Sequence, residues 1–323
     1  TEHYERVITL EDLKAEWDKI FWAMDQPTID GVNTYFVSKT AREAGLKVAL
    51  SGLGGDELFG GYPNTFHGIP KLLKLLKFVQ GIPGGQKVAV WVLNNFATNS
   101  KFNKLSDALS RPPTLASAYL VMRGLFSFKE VKSLVLPEIW NEAIRGFNPL
   151  LYISKQAGAS FSITPNPLQL TPADLFNWIS RAELRTYTHN QLLRDTDVMS
   201  MAHSLEVRVP LLDHVLVEEV LKIPGIVKAD RNNPKILLIS ALDGLLPKLV
   251  AERKDKMGFT FPFDVWFWKA FRDRKLIFRK ISFLRKDILK EVLAKFKAKK
   301  IGWARIWAVW VWQEWSRLEG YVE

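Results

Sequence analysis

Leu46-Lys47-Val48-Ala49-Leu50, followed by Ser51-Gly52-Leu53-Gly54-Gly55-Asp56-Glu57-Leu58-Phe59-Gly60-Gly61-Tyr62, is the stretch on which the reading of this chain turns. Its first five residues are a short apolar run of β-favouring character that stops at Ser51-Gly52, which predicts a strand reaching its end. Upstream, Val32 to Ala44 carries Tyr35, Phe36, Val37 and Ala41 at helical spacing, and Gly45 stands where a helix cap is expected. Leu10 to about Met24 is a second helical pattern with Leu13, Trp17, Ile20 and Phe21 on one face, stopped by Pro27. Arg6-Val7-Ile8-Thr9 reads as a strand. Strand, helix, helix, strand with short links predicts a parallel α/β sheet, whose ligands bind beyond the carboxyl ends of the strands. Ser51 onward is such an end.

After Pro63 the character changes. Lys71–Gln80, Lys87–Phe96, Leu115–Phe126, Leu175–Leu193, Leu216–Ile223, Ile236–Leu242 and a basic C-terminal segment all read as helices. The Ser/Pro/Thr-rich stretch from Gly158 to Thr171 predicts a long loop. There is no internal repeat. The expected layout is residues 1–66 as a remnant of an α/β sheet and residues 67–323 as a mainly helical part.

With 323 residues and 47% hydrophobic content, the chain can bury a substantial core, and it has no cysteine. That excludes cysteine nucleophiles, zinc–thiolate sites and iron–sulfur clusters within it, and gives no sign of an oxidising compartment, so a cytoplasmic protein is expected. The opening Thr1-Glu2-His3-Tyr4-Glu5-Arg6 has no apolar run behind it, and the apolar stretch Ile301–Trp312 is interrupted by Arg305. A bilayer span needs about 20 consecutive apolar residues, so Ile301–Trp312 predicts a core or interface helix and no membrane crossing. The net charge is +11, and Lys269–Lys300 alone holds thirteen Lys or Arg against Asp273, Asp287 and Glu291. Phe271, Ile277, Phe278, Ile281, Phe283, Leu284, Ile288 and Leu289 intersperse these charges at helical spacing, which favours a packed helix with a solvated basic face. A non-catalytic module binding nucleic acid is the distant alternative.

The glycine-rich stretch places five glycines around Asp56 and Glu57. Glycines allow close backbone approach to a ligand, and a carboxylate there suits Mg²⁺ held against polyphosphate. A tight turn whose acids cap the next helix is the competing reading. No Gly-Lys-Ser/Thr follows here, nor in Gly81-Ile82-Pro83-Gly84-Gly85-Gln86-Lys87, so neither is a P-loop. His203 and His214 lack metal-ligand spacing on a shared face. Glu206 and Arg208, in an apolar run, read as a buried charge pair fixing geometry, with Asp213 as further support.

Four stretches in order then resemble the asparagine synthetase (glutamine-hydrolysing) family: Met24-Asp25-Gln26-Pro27 with Asp30; Ser51–Tyr62; Asp197-Val198-Met199-Ser200-Met201-Ala202-His203-Ser204-Leu205-Glu206-Val207-Arg208-Val209-Pro210-Leu211-Leu212-Asp213; and Lys256-Met257-Gly258-Phe259 with Pro262 and Trp266. Together they cover roughly residues 1–270. The resemblance implies the C-terminal synthetase domain, with a Rossmann-like parallel sheet of the adenine nucleotide alpha hydrolase (PP-loop ATPase) type. It implies asparagine biosynthesis: ATP and Mg²⁺ turn the carboxylate of aspartate into an acyl-adenylate, and ammonia from a glutaminase module attacks it. Asp56 resembles the Mg²⁺-binding aspartate, within a cradle of Ser51, Gly52, Gly54, Gly55, Asp56 and Glu57. Lys256 resembles the lysine that neutralises charge on the transferring phosphate, and Glu206, Arg208 and Asp213 would support the site. A homodimer is left open.

Two departures limit the resemblance. The ATP-gripping loop Ser-Gly-Gly-x-Asp-Ser occurs nowhere in the chain and is expected upstream of Thr1, so the fragment is expected to be inactive by itself. Leu53 stands where family members that make asparagine carry a glutamate thought to help deprotonate the incoming amine. Leucine cannot accept a proton, so a different acid, such as a sugar carboxylate or a ring-closing substrate, is the alternative.

Overall fold

A computed structural model describes residues 2–96, 100–158, 171–253, 258, 260–272 and 283–320. The first turn of structure contradicts the sequence reading. Residues 6–9 form no strand: Thr9 is the N-cap of α1 (Leu10–Ala15). Its hydroxyl accepts from the Asp12 amide at 3.2 Å, while the Asp12 carboxylate accepts from the Thr9 amide at 2.8 Å. This reciprocal capping box outweighs the β propensity of Val7-Ile8, and Val7 is left 77% exposed. The helix expected over 10–24 is two helices, α1 and α2 (Trp17–Ala23), broken at Glu16. The Glu16 carboxylate accepts the Tyr35 hydroxyl at 2.8 Å and lies 3.4 Å from Lys39.

α3 (Gly31–Glu43) follows, and Gly45 at φ +86° turns the chain into β1 (Val48–Leu50). A side chain at that φ would be strained, which is why the cap is glycine. The partner of β1 comes from far along the chain. β2 (Glu206–Arg208) lies parallel to it, with Val48 opposite Glu206, Ala49 opposite Val207 and Leu50 opposite Arg208. The ladder runs on by one bond, Ser51 N–H to the Arg208 carbonyl at 2.8 Å. The architecture is therefore mostly helical α/β with a small parallel sheet.

The helices between and after the strands fall close to the predicted stretches: Gly68–Gly81, Gly85–Phe96, Leu115–Arg123, His214–Lys222 and Ile236–Ala241. The stretch read as Leu175–Leu193 changes pitch midway. An α-helix, Pro172–Ala182, is followed by a ten-residue π-helix, Glu183–Leu192, and then by the helix Leu193–Met201. Most of the expected loop between Gly158 and Thr171 lies outside the described residues, as does part of the basic segment; of the latter, Phe263–Arg272 and Lys286–Lys297 are helical.

The predicted core helix is Trp303–Leu318, and it organises the largest apolar cluster. Trp307 is wholly buried, stacked on Phe263 at 5.1 Å and packed edge-on to Trp17 at 6.0 Å, and Ile306 and Val311 bury beside it. A second cluster joins Phe66, Ile69 and Leu73 to Tyr119, Phe176 and Ile179. Among the described residues, no helix is long and apolar enough to cross a membrane.

Candidate active site

The glycine-rich stretch leaves β1 and bends into α4 (Gly55–Phe59). Gly54 caps it at φ +89°, and a Cβ there would lie 2.2 Å from Leu212 Cδ2, so the loop passes flush against Pro210–Leu212. A Cβ on Gly61 would lie 1.8 Å from Asp56 Oδ1. That missing atom is the space in which the Asp56 carboxylate sits. Ser51, Gly52, Gly54 and Gly55 thus line the turn that carries Asp56.

The adjacent carboxylates part company. Asp56 Oδ1 meets the Lys235 ammonium at 3.2 Å, with about a quarter of its side chain exposed. Glu57 turns inward, 1% exposed. It accepts the Tyr62 hydroxyl at 2.9 Å, and its backbone carbonyl accepts from Ser180 Oγ at 2.7 Å. Burial pushes its carboxyl above the usual range, the Tyr62 hydrogen bond pulls it back, and the nearby Asp56 and Glu183 push it further up.

Behind the loop, Arg123 ends the helix Leu115–Arg123 and grips the buried Glu183 of the π-helix with both Nε, at 2.7 Å, and Nη2. Its guanidinium lies between the rings of Tyr62, 4.6 Å away, and Tyr187, 4.2 Å away. Tyr187 and Gln191 of the same π-helix donate to Asp30 Oδ2 at 3.3 and 2.6 Å. Thr28 Oγ1 donates to Asp195 Oδ2 at 2.5 Å, and Gln26 Nε2 to the Asn190 carbonyl at 2.9 Å. Burial pushes Asp30 upward and Asp195 up to about 7. The first and second matched stretches therefore meet around the π-helix, a wider, less stable coil that recurs at functional sites.

Lys256 lies outside the described residues. The chain on its N-terminal side does not: Ala251, Glu252 and Arg253 line a cleft of about 430 Å³ with Asn232, Asn233, Pro234, Ile236 and Ile239, the turn that carries Lys235. Glu206 and Arg208 pair as expected, at 2.7 Å, but they are not buried. Their side chains are 56% and 63% exposed, because both project from the same open face of the two-stranded sheet. Asp213 caps the helix His214–Lys222, accepting from the amides of Val215 at 3.0 Å and Leu216 at 3.3 Å. Leu53 offers only its amide, to Ser51 Oγ at 3.4 Å.

The sequence reading missed Lys235 and Arg123. Lys235 carried one signal: a lysine directly before the helix Ile236–Ala241, where the positive helix end disfavours a cation unless an acid faces it. Arg123 carried none, since a basic residue in the last helical turn is ordinary.

The asparagine synthase family model matches residues 1–317. The chain belongs to the asparagine synthase family. Within the family it is 30% identical over 325 residues to asparagine synthetase [glutamine-hydrolyzing] 1 of Bacillus subtilis, covering 98% of this chain and 48% of that protein. It is 27% identical over 274 residues to a putative asparagine synthetase of Mycobacterium bovis, covering 82% of this chain and 37% of the relative. Asparagine synthetase 3 of Bacillus subtilis is 27% identical over 263 residues, covering 79% and 33%. The chain thus spans about half or less of the length of these family members. No solved structure matches it.

Proposed function

We propose that this chain is the synthetase part of a glutamine- and ATP-dependent amide ligase that activates aspartate as its acyl-adenylate and lets ammonia displace AMP. The observation that carries the reading is Asp56: a carboxylate on a glycine turn at a strand's end, with the Lys235 ammonium 3.2 Å away. We infer likewise that β1 and β2 belong to a Rossmann-like sheet of the PP-loop ATPase type, with residues 67–323 supplying most of the helical layer.

The residues present fit Mg²⁺. Asp56 is a partly exposed oxygen ligand already facing a cation, and the absent Cβ of Gly61 makes the space its carboxylate occupies. When bound, Mg²⁺ would neutralise the pyrophosphate that leaves as the carboxylate is adenylated. Asp56 would hold the ion, with the turn Ser51–Gly55 close against the phosphates and Glu57 fixing the turn from beneath through Tyr62. Lys235, and Lys256 as the family resemblance implies, would set positive charge against the phosphate oxygens. A cation aimed at developing charge in a sheltered site lowers a barrier by several kcal/mol. Asp213, capping the helix that follows Leu212, would help hold the segment after β2 against Gly54, with Glu206 and Arg208 paired on the open face beside it. Ammonia would come from a glutaminase module, and a homodimer fits the reading.

Within its 323 residues the chain holds no Ser-Gly-Gly-x-Asp-Ser loop to grip ATP, so we expect it to form no amide alone. Leu53 favours a second reading, in which the acid is another carboxylate, because no proton acceptor stands at that position. The deciding experiment is ATP- and acid-dependent pyrophosphate release by the full-length protein. Release with aspartate well above a no-acid control, abolished by Asp56→Asn, supports the first reading. Aspartate equal to the control, with a sugar acid or another carboxylate active, supports the second.

A further inference from the structure

Between Glu57 and Asp107 the chain carries no acid, yet it carries Lys71, Lys74, Lys77, Lys87, Lys101 and Lys104. The helices Gly68–Gly81 and Gly85–Phe96 lie in this span, joined at Ile82-Pro83-Gly84, and the first leaves the Asp56 loop through the short helix Pro63–Phe66. Each commits one face to the fold. Ile69, Leu73 and Leu76 are buried along the first. Ala89, Val90 and Leu93 of the second pack against the cluster of Leu76, Ala108 and Leu109. On either side of the turn, Gln80 and Gln86 both donate to the Leu109 carbonyl, at 2.9 and 2.8 Å, so the hairpin is clamped from its inner side.

The opposite faces meet solvent. At about 100° per residue, Lys71, Lys74, Leu75 and Phe78 share one arc of the first helix, and Lys87, Val88, Trp91 and Val92 share one arc of the second. Phe78 is 70% exposed, Val88 62% and Trp91 59%, and Ile82 is exposed at the turn between them. Apolar side chains scattered singly over a surface are ordinary; a row of them on a clamped hairpin, interleaved with lysines that no nearby acid balances, marks a contact surface.

Its partner must offer negative charge and apolar depth in the same place. A second copy of the hairpin would offer apolar surface but set lysine against lysine, and a nucleic-acid backbone would offer charge without depth. An anionic lipid surface offers both: aromatic and aliphatic side chains enter the boundary below the headgroups, while lysine stems reach back to the phosphates. We propose that the hairpin of residues 68–96 docks on an anionic bilayer, with Phe78, Ile82 and Val88 entering the headgroup layer and Lys74 and Lys87 on lipid phosphates. The fourteen residues of the first helix set the turn about 20 Å from the Asp56 loop, so docking and turnover engage different residues. The inference does not depend on the ligase reading.

The test is co-sedimentation of the full-length protein with vesicles of phosphatidylcholine alone, and of equal parts phosphatidylcholine and phosphatidylglycerol. The protein should pellet with the mixed vesicles and stay in solution with the neutral ones. Salt at about 1 M, which shortens the Debye length to about 3 Å, should release it. Lys74→Gln with Lys87→Gln should weaken partition about 20-fold or more, from about fivefold for each lysine near an anionic surface. Phe78→Gln with Val88→Gln should weaken it about 10-fold or more through lost apolar burial. All four positions are exposed, so both double variants should keep the wild-type circular dichroism and melting transition.

No pelleting with either vesicle overturns the proposal, as it would if the rest of the full-length chain covers the hairpin. Equal pelleting with both vesicles overturns it too, and so does pelleting that neither double variant weakens. Pelleting that only the lysine variant weakens reduces the contact to surface charge and overturns the docking of Phe78 and Val88. A protein that ignores vesicles but binds duplex DNA through Lys74 and Lys87 has nucleic acid as its partner. One that ignores vesicles and dimerises through Phe78 and Val88 has a second copy there.

Discussion

Asp195→Asn should flatten the pH dependence of stability. Asp195 lies on the helix Leu193–Met201, 2% exposed, with Thr28 Oγ1 donating at 2.5 Å and Gln26 Nε2 more distantly at 3.5 Å. Its carboxyl is pushed from 3.8 up to about 7, chiefly by burial and further by Asp30 and Asp25, against the pull of the two donors. The folded protein therefore holds this proton when the unfolded chain has lost it. Stability from this group is fully present below pH 3.8 and is lost as pH rises towards and past 7. Integrating the linkage between pH 5 and pH 8 for those two values gives a loss of about 2.6 kcal/mol.

Asparagine keeps the shape and an acceptor for Thr28 but carries no charge at either pH. Its cost in hydrogen bonding, about 1 kcal/mol, applies at both pH values and cancels in the comparison. Urea unfolding of both proteins at pH 5 and pH 8 should show the variant gaining about 2–3 kcal/mol on the wild type at the higher pH. Asp30 and Glu57, also pushed up by burial, give slopes of the same sign that persist in both proteins. A wild type–variant difference that stays constant from pH 5 to pH 8 would refute the reasoning.

Other outcomes follow from packing and from the loop. Trp307→Ala, at the centre of the aromatic cluster, should cost about 3–5 kcal/mol in chemical denaturation, as wholly buried aromatics do. Thr9→Ala removes half of the α1 capping box and should cost about 1 kcal/mol, seen as a small drop in Tm with m unchanged. Gly61→Ala must displace the Asp56 carboxylate and also crowds the Asp56 Cα at 2.8 Å, so the full-length protein should need more Mg²⁺ for half-maximal pyrophosphate release and should melt at a lower temperature. An unchanged Mg²⁺ requirement would separate Asp56 from the metal.

Patterns fixed by short-range physics were legible in the sequence. Gly45 marked the end of α3 because only a residue without Cβ turns easily at φ +86°, and Val48–Leu50 followed as a strand for want of any helical stripe. The Arg6–Thr9 strand was misread because a Thr-x-x-Asp box satisfies amides that β propensity leaves open. Glu206 and Arg208 read as buried because an apolar run surrounds them, yet alternation along a strand sends both to one open face. The π-helix has no residue code: its apolar positions suit either pitch, and the hydrogen bonds from Tyr187 and Gln191 to Asp30 are long-range contacts. Arg123 acquires meaning only when Tyr62, Glu183 and Tyr187 converge on it.

The pairing of β1 with β2 also bears on how the molecule comes together in time. Residues 51–205 must be gathered before Val48 can find Glu206, and closing so long a loop brings little return until the helices inside it have condensed. The cluster of Phe66, Tyr119 and Ile179 lies within that loop and can assemble ahead of the strands. Register between Leu50 and Arg208 is then a late event in folding, and Asp56, which hangs from the end of β1, takes its place opposite Lys235 in the same final stage.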